Sequence, residues 1–185
     1  SSAGNAAALA AGLVDLGIRP GDRVALLANT RPEWTLVDYA ALCAGATVVP
    51  IYHTNSPEEC RYVLAHSDAR AVICEDAELL AKVEQVRPEC PALEHAAVFS
   101  AEGSGTLALA ALRERGAGTE VAELLEIQAQ IRPDDIATIV YTSGTTGPPK
   151  GCMISHGNFI ATMGMYEDRL DLGVRPIVIF LFLPL

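Results

Sequence analysis

One stretch limits what this chain can fold into more than any other: residues 135–151, DIATIVYTSGTTGPPKG. Its first part, residues 136–141, is an apolar run of strand length and reads as a buried β-strand. The run stops at Thr142, and residues 142–151 are only glycine, proline, hydroxyl residues and one lysine. Gly144, Gly147 and Gly151 permit tight turns and close approach to a ligand. Thr142, Ser143, Thr145 and Thr146 supply hydroxyls, and the loop amides can form an anion nest. Lys150 adds a mobile point charge suited to phosphate. In open α/β sheets, ligands bind beyond the carboxyl ends of the strands, where this loop falls. It is not a Walker A loop, which needs Gly-x-x-x-x-Gly-Lys-Ser/Thr. Here Lys150 follows Gly147 across Pro148 and Pro149, and Gly151 comes next. A Gly/Ser/Thr/Pro cluster taken alone reads first as a plain surface turn. Its place directly after a β-run favours the anion site.

The rest of the chain supplies a βα cadence. Residues 1–16 read as an alanine-rich helix ended by Gly17 in a left-handed cap. Strands are expected at 23–28, 46–51 and 71–74, each followed by a helical pattern, as in a parallel sheet. Thr30 with Glu33 reads as a capping box opening a helix at about 31–43, and Ser56, as a cap before Pro57 and the acids Glu58 and Glu59, opens a second at about 57–66. Trp34 is expected to pack. A helix is expected over 76–86, a short strand within 93–99, a loop at 101–106, and helices at 107–115 and 121–129 with solvated charged faces. Residues 152–154 are expected to extend briefly, Ser155 to open a helix running toward Leu170, and residues 177–185 to form a last buried strand. Met153, Met163 and Met165 read as core filler. No glycine fingerprint of a dinucleotide fold follows residues 24–28.

Composition narrows the function classes. At 185 residues and half apolar, the chain is large enough for a real core. The formal net charge of −10 argues against nucleic acid as a general ligand but not against a nucleotide. No basic region precedes the opening alanines, and no apolar run reaches 18 residues, so a cytoplasmic protein is expected. Five widely spaced cysteines suggest neither a disulfide framework nor a zinc site; Cys43 and Cys74 read as core residues, and Cys152 has no indicated partner for a nucleophilic role. His53, His66, His95 and His156 are not at metal-site spacing, and no metal ligand is assigned. His53 and His156 read as local polar residues rather than bases.

The loop at 142–151, preceded by Ile139-Val140-Tyr141, resembles the phosphate-loop signature of the adenylate-forming, AMP-binding superfamily. The resemblance extends over residues 16–34 (LGIRPGDRVALLANTRPEW), 45–59 (GATVVPIYHTNSPEE) and 183–185 (LPL). Residues 61–76 and 150–159 are most similar to bacterial long-chain fatty-acyl-CoA ligases. The resemblance implies an α/β fold, the parallel-sheet-rich amino-terminal part of the large domain of an adenylate-forming enzyme. On that reading, residues 1–185 are an incomplete large domain, about the first third of a ligase. The family's adenine, ribose and magnesium segments and its small carboxyl-terminal domain, with hinge and catalytic lysine, are not among these residues.

The resemblance implies a two-step reaction: a carboxylate attacks the α-phosphate of Mg2+-ATP, and coenzyme A then takes the acyl group. Thr142, Ser143, Gly144, Thr145, Thr146, Gly147 and Lys150 match the family's loop and are expected to bind ATP; Pro149 matches its usual proline. Lys150, Thr142, Thr145 and Thr146 are expected to act catalytically by stabilising charge on the leaving pyrophosphate. The loop is implied to be mobile and to join two strands as a hairpin. The expected partners are a carboxylic, chiefly fatty, acid, ATP and CoA, with peripheral membrane contact left open. An aryl or amino-acid adenylating enzyme and a non-catalytic phosphate-binding module are the alternatives. The 185-residue chain alone is expected to have negligible ligase activity, and its last apolar strand suggests a boundary that passes through a sheet.

Overall fold

The computed structural model describes residues 2–100, 106–119, 121–142 and 147–169. In chain order the described elements are α1 (Ser2–Asp15), β1 (Arg23–Leu27), α2 (Pro32–Cys43), β2 (Thr47–Ile51), α3 (Pro57–His66), β3 (Ala69–Cys74), α4 (Ala77–Val86) and β4 (His95–Val98). They continue as β5 (Leu107–Ala108), α5 (Leu109–Gly116), α6 (Val121–Gln130), β6 (Ile136–Thr142), β7 (Lys150–Ser155) and α7 (His156–Arg169). The strands form one sheet in the order β5-β4-β3-β1-β2-β6-β7, in which all neighbours run parallel except β6 and β7. The expected α/β fold class is borne out. The expected loop at 101–106 falls largely, and the strand at 177–185 wholly, outside the described residues.

The period-2 alternation of the strands divides the core. Val24, Leu26, Val48, Ala71 and Ile73 face α1, α2, α5 and α6. Ala25, Leu27, Val49, Val72 and Cys74 face α3 and α4. Strands buried on both faces read as continuous apolar runs, which is why β1 to β3 were visible in the sequence. Each fully buried leucine or valine in them contributes about 1.5–3 kcal/mol. On the first face α1 and α5 touch backbone to backbone. A Cβ on Gly12 would lie 1.9 Å from the Leu112 carbonyl oxygen, and one on Gly116 2.3 Å from that of Ala8. On the second face α3 opens at the expected Ser56 cap, which the structure completes as a box: Ser56 Oγ accepts from the Glu59 amide at 3.2 Å, and the Glu59 carboxylate accepts from the Ser56 amide at 2.7 Å. Cys60 and Cys74 are buried there as free thiols, pushed up by burial to about 11 and about 12, so they stay protonated and inert.

Several expectations are corrected. Helix α2 begins at Pro32 with Arg31 as its N-cap and no side-chain cap, so the Thr30–Glu33 box does not form. Glu33 instead receives the Arg31 guanidinium at 2.8 Å, and a proline in the first turn needs no amide partner. Leu107 and Ala108 are a strand, not the start of a helix, because they pair with Ala97 and Val98 at the sheet edge. β6 is not a fully buried strand: only Ala137 is buried, since β7 beside it is an exposed edge. Met153, Met163 and Met165 are 66%, 55% and 60% exposed rather than core filler, because α7 packs chiefly on that same edge strand. No helix among the described residues is long and apolar enough to cross a membrane.

The ladder that joins β6 to β2 is short. β2 and β6 share one register pair, Val48 with Thr138. Pro50, two residues on, has no amide to continue a ladder. Two threonines reinforce the seam: Thr47 Oγ1 donates to the Ile136 carbonyl at 2.7 Å, and Thr138 Oγ1 donates to that of Val48 at 2.9 Å.

Candidate functional site

β6 and β7 form an antiparallel hairpin whose last pair is Thr142 with Lys150, as expected of the two strands flanking the loop. Its open end lies on the carboxyl side of the parallel strands. Thr142 and Lys150 are exposed, and among the described residues the Lys150 ammonium forms no ion pair. A cation with no competing carboxylate, opposite a threonine hydroxyl, is what an incoming phosphate needs. Gly147 has φ +90°, in the left-handed region where glycine meets no steric penalty. Ser143, Gly144, Thr145 and Thr146, the remainder of the expected site, lie outside the described residues.

The hairpin is fastened to α3 by aromatic side chains. Tyr62 donates its hydroxyl hydrogen bond to the Pro149 carbonyl at 2.9 Å. His66 Nδ1 and the Tyr141 hydroxyl share a hydrogen bond of 2.8 Å. Burial pushes the Tyr141 phenol up, so it stays protonated at neutral pH. The Tyr62 and His66 rings stack with centroids 5.3 Å apart, and Tyr141 meets both edge-on.

A cavity of about 560 Å³ opens beside the hairpin, beyond the ends of β1, β2 and β6. Its lining includes Asn29, Trp34, Tyr52, His53 and Tyr141. Trp34 also packs against the core as expected, so one ring serves both surfaces. Lys82 donates to the carbonyls of His53 and Asn55 at 3.0 and 3.2 Å, which fixes the course of this loop. His53 is thus a wall residue, in keeping with its reading as a local polar group.

The sheet order reverses between β1 and β3, the crevice where open α/β sheets usually take ligands. Here that crevice is filled by protein. Glu75 accepts from the Asn29 amide and side chain at 2.8 and 3.0 Å and from Arg31 at 2.9 Å. Burial raises the Glu75 pKa, but these donors more than offset it and hold the carboxyl below its ordinary range. Another cavity, about 430 Å³, lies at the amino-terminal ends of β1, β2 and β6, beside Arg23, Thr47 and Ile136, remote from the hairpin mouth.

The structure therefore brings Thr142 and Lys150 to one mouth. His156 stands at the far end of β7, its amide bonded to the Asp135 carbonyl. Helix α7 starts there as expected: Ser155 Oγ accepts from the Asn158 amide at 3.3 Å. Tyr62, His66 and Tyr141 were missed as a group, because their meeting depends on β6 lying against α3. Only the i, i+4 spacing of Tyr62 and His66 on one helix hinted at a shared face.

These features define a class: an α/β protein whose sheet carries a lysine-bearing hairpin on its carboxyl side. The chain belongs to the AMP-binding enzyme family, whose description matches residues 3–185. It is 42% identical over 182 residues to the long-chain-fatty-acid–CoA ligase FadD15 of Mycobacterium tuberculosis, covering 96% of this chain and 30% of that protein. Among solved structures it is similar to the anthranilate CoA ligase AuaEII in complex with anthranoyl-AMP (TM-score 0.76, 30% identity), covering 91% of this chain and 30% of that one. It is also similar to the long-chain-fatty-acid-CoA ligase FadD1 of Archaeoglobus fulgidus (TM-score 0.73, 26% identity), covering 88% and 31%. The chain thus spans about 30% of the length of these relatives.

Proposed function

We propose that residues 1–185 are the amino-terminal part of the large domain of an acid–thiol ligase that uses ATP to convert a long-chain fatty acid to its CoA thioester. In the first step a carboxylate oxygen bonds to the α-phosphorus, the bond from that phosphorus to the bridging oxygen breaks, and pyrophosphate leaves. In the second step the thiolate of CoA bonds to the acyl carbon and AMP leaves.

The observation that carries this reading is the Lys150 ammonium directly across the hairpin mouth from Thr142, without an ion-pair partner among the described residues. Negative charge builds on the β- and γ-phosphates as pyrophosphate departs. An ammonium and preorganised hydrogen-bond donors lower that barrier if they grip the leaving group more tightly than bound ATP. Thr142, Gly147 and Lys150 would form the described part of the cradle, with Ser143, Gly144, Thr145 and Thr146 completing it. No group of three His, Cys, Asp or Glu side chains among the described residues is placed to hold a metal ion, and the magnesium segment that the resemblance implies is not among residues 1–185.

The fatty-acid assignment draws on the 42% identity to FadD15. The likeness to AuaEII supports an aryl acid as the second reading. ATP–pyrophosphate exchange by the full-length protein, run with fatty, aryl and amino acids, tests both. Exchange that is strongest with long-chain fatty acids is expected. Exchange confined to aryl or amino acids would replace the substrate assignment, and ATP binding without exchange would overturn the ligase.

A further inference from the structure

Lys150 is held from both sides by one helix. The peptide before it begins at the Pro149 carbonyl, which receives the Tyr62 hydroxyl at 2.9 Å. Pro149 has no amide hydrogen and stands outside the β6–β7 register, so this hydroxyl supplies its tie to the protein body. The residue after Lys150 is Gly151. A Cβ there would lie 2.8 Å from Ile139 Cγ2 and 3.3 Å from Tyr141 Cζ, so the Tyr141 ring lies directly over that backbone. Tyr141 is in turn bonded to His66 at 2.8 Å. Tyr62 and His66 are one helical turn apart and stack on each other, so the two grips form one unit. That unit sits on α3, which is anchored by the buried Cys60, Val63 and Leu64 and by its capping box.

We infer that Tyr62 and His66 are positioning residues for the adenylation step: through Pro149 and Tyr141 they fix the peptides flanking Lys150, and so hold its ammonium in register with the departing pyrophosphate. This role rests on the ligase reading above. The physical reason is the steep dependence of rate on placement. A group displaced by about 1 Å can lose on the order of a hundredfold in rate. The hairpin joins β2 through one register pair, Val48–Thr138, and hydrogen bonds from Thr47 and Thr138, all short of its open end, so the mouth relies on the ties to α3.

The test uses the full-length protein and Tyr62→Phe, which removes one hydroxyl and keeps the ring stack. Hydrogen exchange of the amides at 150–152 is expected to rise by about fivefold or more, with β1 amides unchanged, since loss of one tie opens the mouth locally. Single-turnover adenylation is expected to fall by about tenfold, while transfer to CoA from supplied acyl-adenylate stays within about twofold. His66→Phe should move the same ratio in the same direction. Unchanged exchange at 150–152 overturns the inference. So does raised exchange with both half-reactions unaffected or equally slowed, which would make the contact purely structural. A wild-type protein that adenylates no acid overturns the ligase reading, and this role with it; that outcome is told apart by the parent enzyme alone.

Discussion

Strands β1 and β3 and the hairpin β6–β7 belong to one sheet but live in different environments. In β1 every residue after Arg23 is buried, and in β3 only Arg70 is not. In β7 no residue is buried, and Met153 beside Cys152 stands 66% exposed. The polar groups differ in the same sense. At the carboxyl end of β1 and β3, Asn29, Arg31 and Glu75 satisfy one another and fill the crevice. At the hairpin mouth, Lys150 has no carboxylate partner among the described residues. Among the described residues, the β1–β3 half thus completes its own packing and electrostatics, whereas the hairpin half does not.

Stability measurements can break this contrast. Leu26→Ala, at a site with 0% exposure, should lower unfolding free energy by about 3–4 kcal/mol in a urea titration. A loss below about 1 kcal/mol would show that the buried half is less tightly packed than described. Gly12→Ala should destabilise by about 2–3 kcal/mol, because its Cβ meets the backbone oxygen of Leu112, which cannot swing away. A neutral Gly12→Ala would mean that α1 and α5 stand further apart.

A pH titration sharpens the comparison within the packed half. Asp38 on α2 has no hydrogen bond or ion pair among the described residues, and burial raises its carboxyl to about 6. The folded state therefore holds this proton more tightly than the unfolded chain. Its contribution weakens as pH rises from about 4 through about 6, because the charged form is disfavoured only in the fold. Asp38→Asn should stabilise the protein by about 1 kcal/mol at pH 7 and by much less at pH 4. An equal effect at both pH values would refute the assignment. The smallest effect is expected at the other end of the sheet: Met153→Ala should change stability by no more than about 0.5 kcal/mol in the 185-residue chain. A loss like that of Leu26→Ala would erase the distinction.

The same contrast explains which features are legible in the sequence. Val24, Leu26, Val48 and Ile73 announce buried parallel strands because both faces are apolar, and Ser56 with Glu59 announces a helix start because a cap is local chemistry. The 142–151 loop was conspicuous from composition and order, and the resemblance implied its hairpin, but the Thr142–Lys150 closure was not foreseen, because strand was expected only up to Tyr141. The errors arose where a side chain's fate depends on distant partners. Thr30 and Glu33 have the spacing of a cap, yet Arg31, which also pairs with Glu75, takes up Glu33. Met153 and Met163 look like core residues by type, but they sit on an edge strand and a helix packed chiefly on it. Tyr62, His66 and Tyr141 are unremarkable apart; a contact spanning 75 positions brings the last two together.

Whether Lys150 serves the departing pyrophosphate is decided by the two half-reactions of the full-length enzyme, which separate that role from every general effect. Lys150→Ala should slow single-turnover adenylation by about a hundredfold, while transfer to CoA from supplied acyl-adenylate remains near the wild-type rate. Equal losses in both steps, or no loss in either, would contradict it.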